Sequence, residues 1–406
     1  MSSMFVRTIK QYMKFQALKF IAGLWLFYLI FQKLDIENYA IYGIVQSFVI
    51  LSSLFIGFNV KSSFQKLYSK KYLVKSINLI IFLIVLISSF FYTVLYITFM
   101  FDIVNFVFKD TENTPDLFLL YIYIISFGLT SIVSSMLNAN RRTFLFGIST
   151  VLPALISIPS LIYLEHVNIN NLIIILMVSN LVMIFFIAIS NLKVFYFSNY
   201  SRKYAFLVLK YIIGYSWLSF PTLSSKYSID VFARSILLTS IGELAVAVLT
   251  FSTSLFSIFR SVEQAFFKAI TPLLLLNKKN NLNQLSLVRK LILFQSIFTI
   301  IIFSFAPYWV DFLKLIFSTK PDEAFVPIVL FIMACSTATS YIKNYFLSQA
   351  KKHSSNMRKF FVIATIMNLC ILAVLLIVNL SVIKFVLIQL LFSLINLLFV
   401  KLFIKL

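Results

Sequence analysis

The sequence predicts an all-α polytopic membrane protein with about twelve transmembrane helices. Hydrophobic residues make up 61% of the 406 residues and charged residues only 12%, far from the balance of a soluble domain. Uncharged apolar runs such as 77–101 are long enough for the ~20 residues that a bilayer-spanning helix requires. This composition excludes a soluble enzyme, a disordered chain and a secreted disulfide scaffold.

Twelve apolar segments are each close to the length of one membrane span. They cover residues 15–33, 39–59, 77–101, 117–138, 144–164, 171–191, 210–232, 244–262, 291–311, 325–347, 360–379 and 384–403. The loops between them are short, so we expect no soluble domain on either face. Whatever the protein does, it does within the membrane.

The distribution of charge predicts the orientation. With the N-terminus inside, 25 of the 35 Lys and Arg residues fall in inside segments and 5 in outside segments, while 11 of the 13 acids fall outside. Positive charge is retained on the cytoplasmic side during insertion. We therefore expect both termini in the cytoplasm and the chain in the bacterial inner (plasma) membrane.

Motifs for catalysis or metal binding are missing from the sequence. Cys335 and Cys370 both lie in apolar runs, and the two histidines, His166 and His353, are far apart. No glycine-rich phosphate loop and no nucleophile motif occurs. We expect no enzymatic activity, no metal and no cofactor, and we attribute the net charge of +22 to membrane topology rather than to nucleic-acid binding.

The two halves of the chain resemble each other in layout. Glu37 and Glu243 follow the first span of each half, and the basic pairs 141–142 and 351–352 follow the fourth span of each half. In both halves the second span precedes a basic, amphipathic inside loop, which is typical of a helix lying on anionic lipids. These offsets predict two six-helix lobes, 1–200 and 201–406, related by a pseudo-two-fold axis normal to the membrane.

Three stretches carry a family resemblance: Phe20 to Phe58, with its acidic-Tyr-Gly turn, Gly214 to Thr253, and the basic turn after span 4. The chain resembles the polysaccharide (Wzx-type) flippases of the multidrug/oligosaccharidyl-lipid/polysaccharide (MOP) exporter superfamily. Four residues match that family's seventh helix and the turn after it: Pro221, Asp230, Arg234 and Gly242. Family members often have Asp and Arg adjacent and a Gly-Tyr pair in the turn, and this chain departs from both patterns.

Charged residues within spans are the candidate substrate site, because such residues face a cavity or a partner. Lys226, Asp230 and Arg234 recur every four residues, which places them on one helix face. They form either a polar stripe lining a cavity, in which Asp230 orients the two cations, or an ordinary ion pair at the outer interface if span 7 ends near Ser228.

Three further cations complete the candidate set. Lys19 in span 1 nearly coincides with Lys226 under the repeat, and the alternative for it is snorkelling to the cytoplasmic interface. Arg260 and Lys343 lie closer to cytoplasmic ends, where snorkelling is favoured over a central site. Uncharged polar residues are candidates for a sugar path, although interhelical hydrogen bonds are the commoner role for such residues: Gln16, Gln46, Asn59, Asn138, Asn180, Asn344 and Asn368.

The resemblance and the cationic spans together predict a flippase. We expect alternating access that moves an undecaprenyl-pyrophosphate-linked oligosaccharide repeat unit to the outer leaflet for surface polysaccharide assembly, such as that of O-antigen or lipopolysaccharide. The expected partners are this polyprenyl-pyrophosphate-linked oligosaccharide, anionic lipids at the basic loops, and other membrane proteins of polysaccharide assembly. The alternatives are a multidrug exporter of the same superfamily and a membrane polysaccharide polymerase or ligase.

Overall fold

A computed structural model describes the chain at residues 3–61, 63, 74–108, 114–140, 142–190, 202–258, 328–338, 354–378 and 380–403, with isolated positions between 293 and 308. All regular structure in these residues is α-helical, which confirms the predicted fold class. The described helices are α1 (Ser3–Lys33), α2 (Ile36–Ser53), α3 (Val74–Val107), α4 (Leu117–Ala139), α5 (Thr143–Tyr163), α6 (Ile169–Ser190), α7 (Arg202–Ser240), α8 (Glu243–Ile258), α9 (Ile328–Ala338), α10 (Ser354–Ile377) and α11 (Val382–Phe403).

Five of these helices are long and apolar enough to cross a membrane. Their apolar segments are Lys14–Lys33, Asn78–Phe99, Leu117–Ala139, Thr143–Tyr163 and Ile169–Ser190, close to the predicted spans at the same positions. Shorter apolar helices cover Glu243–Ile258, Ile328–Ala338, Phe361–Ile377 and Val382–Leu398. Apolar side chains of α3 are exposed, as expected for a helix surface that faces lipid: Ile87, Phe90 and Ile97 are all more than half exposed.

Two helices differ from the predicted spans. The span predicted at 39–59 is helical only as far as Ser53, and residues 54–60 form turns. Span 7, predicted at 210–232, lies within the 39 residues of α7, which continues through Pro221 and ends just before Gly242 with its φ of 109°. The helix does not end near Ser228, so Asp230 and Arg234 are helical residues well inside α7.

Helix ends at the predicted outer side are capped by charged residues, namely two acids and a lysine. The Asp35 carboxylate accepts the Asn38 backbone N–H at 2.7 Å and begins α2. The Asp116 carboxylate accepts the Leu119 N–H at 2.8 Å and begins α4 in the same way. Lys33 Nζ donates to the Leu164 carbonyl oxygen at 2.9 Å, where a cation suits the carboxyl end of α5. These charges therefore set helix boundaries in addition to contributing to the predicted orientation.

Chain contacts divide the protein into two compact units. The first contains Met1–Tyr227 and Ile258–Leu276, and the second contains Ser228–Ser257 and Asn277–Leu406. The division falls inside α7, so the lobe boundary at 200/201 remains a prediction. In the first unit α1 packs along α5 closely enough that a Cβ on Gly147 would lie 2.2 Å from Cγ of Phe15.

Hydroxyl pairs join the helices of the first unit. Ser157 and Ser179 place their oxygens 2.7 Å apart between α5 and α6. Ser134 Oγ donates to Ser149 Oγ at 3.0 Å between α4 and α5. Small polar residues of this kind allow close approach of helices in lipid.

Candidate functional site

The polar residues of α7 lie at graded depths. A helix rises 1.5 Å per residue, so Arg234, Asp230, Lys226 and Ser219 lie about 9, 15, 21 and 31 Å below Ser240, the last residue of α7. The hydrocarbon core is about 30 Å thick. If Ser240 marks the predicted outer boundary, Asp230 is near the middle of the bilayer and Ser219 is near its inner edge.

Arg234 is buried in the second unit and holds α8. Only 6% of the residue is exposed. Nη1 donates to Thr250 Oγ1 at 2.5 Å, and Nη2 donates to Thr253 Oγ1 at 2.9 Å. Its two donated bonds make it a clamp between α7 and α8, and the choice between a cavity stripe and an ion pair at the outer interface remains a prediction.

Asp230 connects α7 to α11 within the same unit. Its carboxylate accepts a hydrogen bond from Gln389 Nε2 at 3.1 Å, and the residue is half-buried. Because α7 is continuous through this region, Lys226, Asp230 and Arg234 recur on one face of it. That Asp230 orients the two cations remains a prediction.

Lys226 is exposed, in contrast to the other two members of this face. Its ammonium lies 5.8 Å from the centre of the Tyr227 ring, within range of a cation–π interaction. The place of Lys226 in a cavity remains a prediction.

Lys19 lies in α1 at a depth that matches that of Lys226. It precedes Lys33 by fourteen residues, as Lys226 precedes Ser240, which is about 21 Å along each helix. Lys19 is half-buried, and Gln16, one turn earlier, is only 4% exposed. Among the described residues, neither side chain has a hydrogen-bond or ion-pair partner. Arg260 and Lys343, the other two candidate cations, lie outside the described residues.

The turn that ends α2 escaped the sequence analysis. Gly57, Phe58 and Asn59 have φ angles of 79°, 45° and 56°, three consecutive residues in the left-handed region. This conformation costs an ordinary L-residue about 1–2 kcal/mol, and asparagine tolerates it better than phenylalanine. The Asn59 N–H donates to the Leu54 carbonyl at 3.1 Å and the Phe58 N–H to the Phe55 carbonyl at 3.3 Å, which is a Schellman ending.

The same turn packs against α7. Asn59 is buried, and its Nδ2 donates to Ser219 Oγ at 3.0 Å. Phe220 makes edge-to-face contacts with Phe55 and Phe58, at ring-centroid distances of 5.1 and 5.9 Å. The Trp217 ring lies 6.1 Å from that of Phe58. Asn59 therefore makes an interhelical hydrogen bond, the commoner of the two roles considered for it.

Lys61, next to this turn, belongs to the basic, amphipathic inside loop that the sequence predicts after span 2. Its Nζ donates to Ser131 Oγ at 3.1 Å, so the side chain reaches α4 instead of pointing into the cytoplasm. Gln46 makes a similar contact, donating to the Tyr123 hydroxyl at 3.1 Å. The sequence marks Lys61 as the first cation of that basic loop, two residues after the predicted end of span 2.

Comparison with solved structures identifies the fold. No protein-family model matches the sequence, and no curated protein matches it significantly. The structure of the MATE multidrug transporter DinF-BH is similar, with a TM-score of 0.63, 13% identity, and coverage of 95% of this chain and 97% of that one. An inward-facing MATE-family multidrug resistance transporter of the MOP superfamily gives a TM-score of 0.58 and 15% identity, covering 97% and 94%.

A MOP superfamily transporter from Pyrococcus furiosus, described by a reverse polarity of its binding pocket that suggests a different function, gives a TM-score of 0.53 and 12% identity over 99% of this chain and 95% of that one. All three matches extend over nearly the whole chain. The predicted twelve-helix, two-lobe plan fits the fold of these proteins. The chain therefore has the fold of the MATE transporters of the MOP superfamily.

Proposed function

We propose that this chain is a flippase that moves undecaprenyl-pyrophosphate-linked oligosaccharides from the inner to the outer leaflet by alternating access. The lipid tail stays in the bilayer while the head group passes between the lobes. One observation carries the choice of cargo: Lys19 lies within the membrane span of α1 and, among the described residues, has no acidic or hydrogen-bonding partner.

An intramembrane lysine without a protein partner favours an anionic ligand. A lysine at mid-bilayer costs about 2.5–3.5 kcal/mol on insertion scales, less near the ends of a span. An anionic head group that meets the ammonium offsets part of this cost, and lysine binds phosphate as a point charge. Gln16 is buried one turn away and equally lacks a partner in the described part of the chain. Its amide suits a phosphate oxygen or a sugar hydroxyl.

The placement of acids supports the same choice. In the described membrane helices most acids lie near helix ends, as Asp35 and Asp116 do, and Asp230 is the acid that lies deepest along its helix. Asp230 is already bonded to Gln389. A carrier of organic cations requires negative charge at its binding site, and this chain offers more lysine and arginine than acid within its spans.

The candidate site residues divide into two roles under this proposal. Lys19 and Lys226, which lie at matching depths along their helices, are the residues that meet the pyrophosphate. Arg234 keeps α7 against α8, because its two terminal nitrogens already donate to threonines. We assign it a positioning role instead of direct contact with the cargo.

A multidrug exporter is the second candidate, because two of the similar structures are described as multidrug MATE transporters. The Pyrococcus furiosus relative, with its pocket of reverse polarity, indicates that this fold is compatible with more than one charge of ligand. The two candidates differ in the expected sign of charge on the cargo, and mutation of Lys19 separates them.

The test is complementation of a strain that lacks the native gene. Lys19→Ala and Lys226→Ala are expected to reduce surface polysaccharide at normal membrane levels of the protein, with lipid-linked oligosaccharide accumulating in the inner leaflet. Lys14→Ala is the matched control, because Lys14 is exposed on the same helix near the predicted inner side. Full polysaccharide with both lysine variants, or restored efflux of a cationic dye without restored polysaccharide, would contradict the proposal.

A further inference from the structure

The contact between the 54–60 turn and α7 has the features of a gate. By the predicted orientation α2 runs from the outer to the inner side, so the turn lies at the inner edge, at the depth inferred for Ser219. We propose that residues 54–60 form an inner latch: the left-handed turn holds α7 in its present position, and it rewinds into a continuation of α2 when α7 moves away. This rests on the proposed alternating access.

The latch is built from contacts that separate easily. Its hydrogen bond, Asn59 to Ser219, joins two neutral groups, and both find water at the inner edge once they part. The rings of Phe55, Phe58 and Phe220 are each only half-buried. None of these contacts leaves a buried charge behind when it breaks.

Backbone strain in the turn favours its conversion to a helical conformation once α7 moves away. Phe58 and Asn59 hold a conformation that L-residues disfavour, and they keep it only while surrounding contacts over-determine it. Those contacts include the bond from the Gly57 N–H to Ser88 Oγ at 2.6 Å, the bond to Ser219 and the ring packing on α7. Loss of the α7 contacts removes two of these supports, and a helical conformation then becomes favourable for the segment.

Gly57 sets the balance between the two forms. Its φ of 79° costs glycine no conformational energy but strains an alanine. An added Cβ would also lie 3.0 Å from Cδ1 of Ile132. Gly57→Ala therefore destabilises the turn and has no cost in the rewound helix. Gly214→Ala is the matched control: Gly214 is in α7, near the same contact, and a Cβ there meets nothing within 4 Å.

The experiment measures closure of the latch without reference to cargo. In a chain carrying Cys335→Ser and Cys370→Ser, the pair Phe58→Cys and Trp217→Cys, which leaves the Phe55–Phe220 ring contact and the Asn59–Ser219 bond in place, is treated with a short bifunctional maleimide in native membranes. The rate of internal cross-linking reports the fraction of closed protein. Gly57→Ala is expected to lower this rate about tenfold, corresponding to the strain of an alanine at positive φ, and Gly214→Ala to leave it unchanged.

A second variant covers the case in which Gly57→Ala fails to reach the membrane. Asn59→Ala removes the bond to Ser219 without adding atoms, and it is expected to lower the same rate several-fold. Ser134→Ala, which removes the hydroxyl pair between α4 and α5 within the first unit, is its control and is expected to leave the rate unchanged.

Unaltered cross-linking in folded Asn59→Ala and Gly57→Ala would overturn the latch. A changed rate combined with failure of the Lys19 test would leave the latch standing and refute the assigned cargo.

Discussion

The middle and the C-terminal part of α7 contact their neighbours in opposite ways. Near the middle of the helix, Ser219 accepts a hydrogen bond from a neutral amide, and Phe220 packs against half-buried rings of a strained turn. Toward its C-terminal end, the buried Arg234 donates to two threonines of α8, and Asp230 accepts from Gln389 of α11. One helix thus carries a neutral contact with α2 and charged contacts with α8 and α11.

The free energy needed to break each contact indicates which one persists when the helices move. A neutral hydrogen bond contributes about 0.5–1.5 kcal/mol and one to a charged group about 1.5–3 kcal/mol. Pulling Arg234 from the two threonines would leave a charge buried in a low-dielectric interior, which costs several kcal/mol. We therefore expect α7 to move together with α8 and α11 and to part from α2.

The largest expected effect is on the permanent contact. Arg234→Ala removes both charged bonds and opens a cavity between α7 and α8, so the free energy of unfolding should fall by about 2–4 kcal/mol. Thermal melting of the purified protein in detergent measures this loss. Arg142→Ala, at a half-exposed position where no side-chain cap is made, should change stability by less than about 0.5 kcal/mol. Equal melting temperatures for the two variants would show that Arg234 does not stabilise the contact between α7 and α8.

Removing one acceptor of the clamp should have a smaller effect. Thr250→Val keeps the shape of the side chain but deprives Arg234 Nη1 of its partner, and we expect a loss of about 1.5–3 kcal/mol. Thr98→Val is the control, because the Thr98 hydroxyl is exposed and bonds only to the Val94 carbonyl of its own helix. A Thr250→Val protein that melts like Thr98→Val would show that the bond contributes little.

The smallest effect on stability is expected at the latch, where the effect on transport should be large. Asn59→Ala loses the neutral hydrogen bond to Ser219, worth about 1 kcal/mol, yet it should reduce surface polysaccharide at normal membrane levels. Ser134→Ala should cost a similar amount of stability with export intact. If both variants export equally, the Asn59 contact is ordinary packing.

The sequence predicted those features of the structure that hydropathy and charge determine. Apolar length located the spans of α1 and α3 to α6, and two of the acids counted as outside charges, Asp35 and Asp116, begin helices. Lys19 and Lys226 lie equally far from the ends of their helices, as the predicted internal repeat expects. These features depend on local composition and spacing, which a single sequence displays.

The features that escaped prediction depend on contacts between distant segments. Residues 54–60 have the composition of an apolar span, and only packing on α7 and the bond to Ser88 make Gly57, Phe58 and Asn59 left-handed. The partners of Arg234 are two threonines in an apolar run, residues that nothing in the sequence marks as ligands of a cation.

The most direct test of the account locks α2 to α7 during transport. The Phe58→Cys and Trp217→Cys pair is joined by a reducible cross-linker in proteoliposomes, and flipping of a fluorescent polyprenyl-pyrophosphate oligosaccharide is followed before and after reduction. The Ser134→Cys and Ser149→Cys pair, between α4 and α5, is the control. The account predicts that the first cross-link stops flipping, that reduction restores it, and that the control cross-link has no effect. Flipping at the unmodified rate with α2 and α7 joined would contradict it.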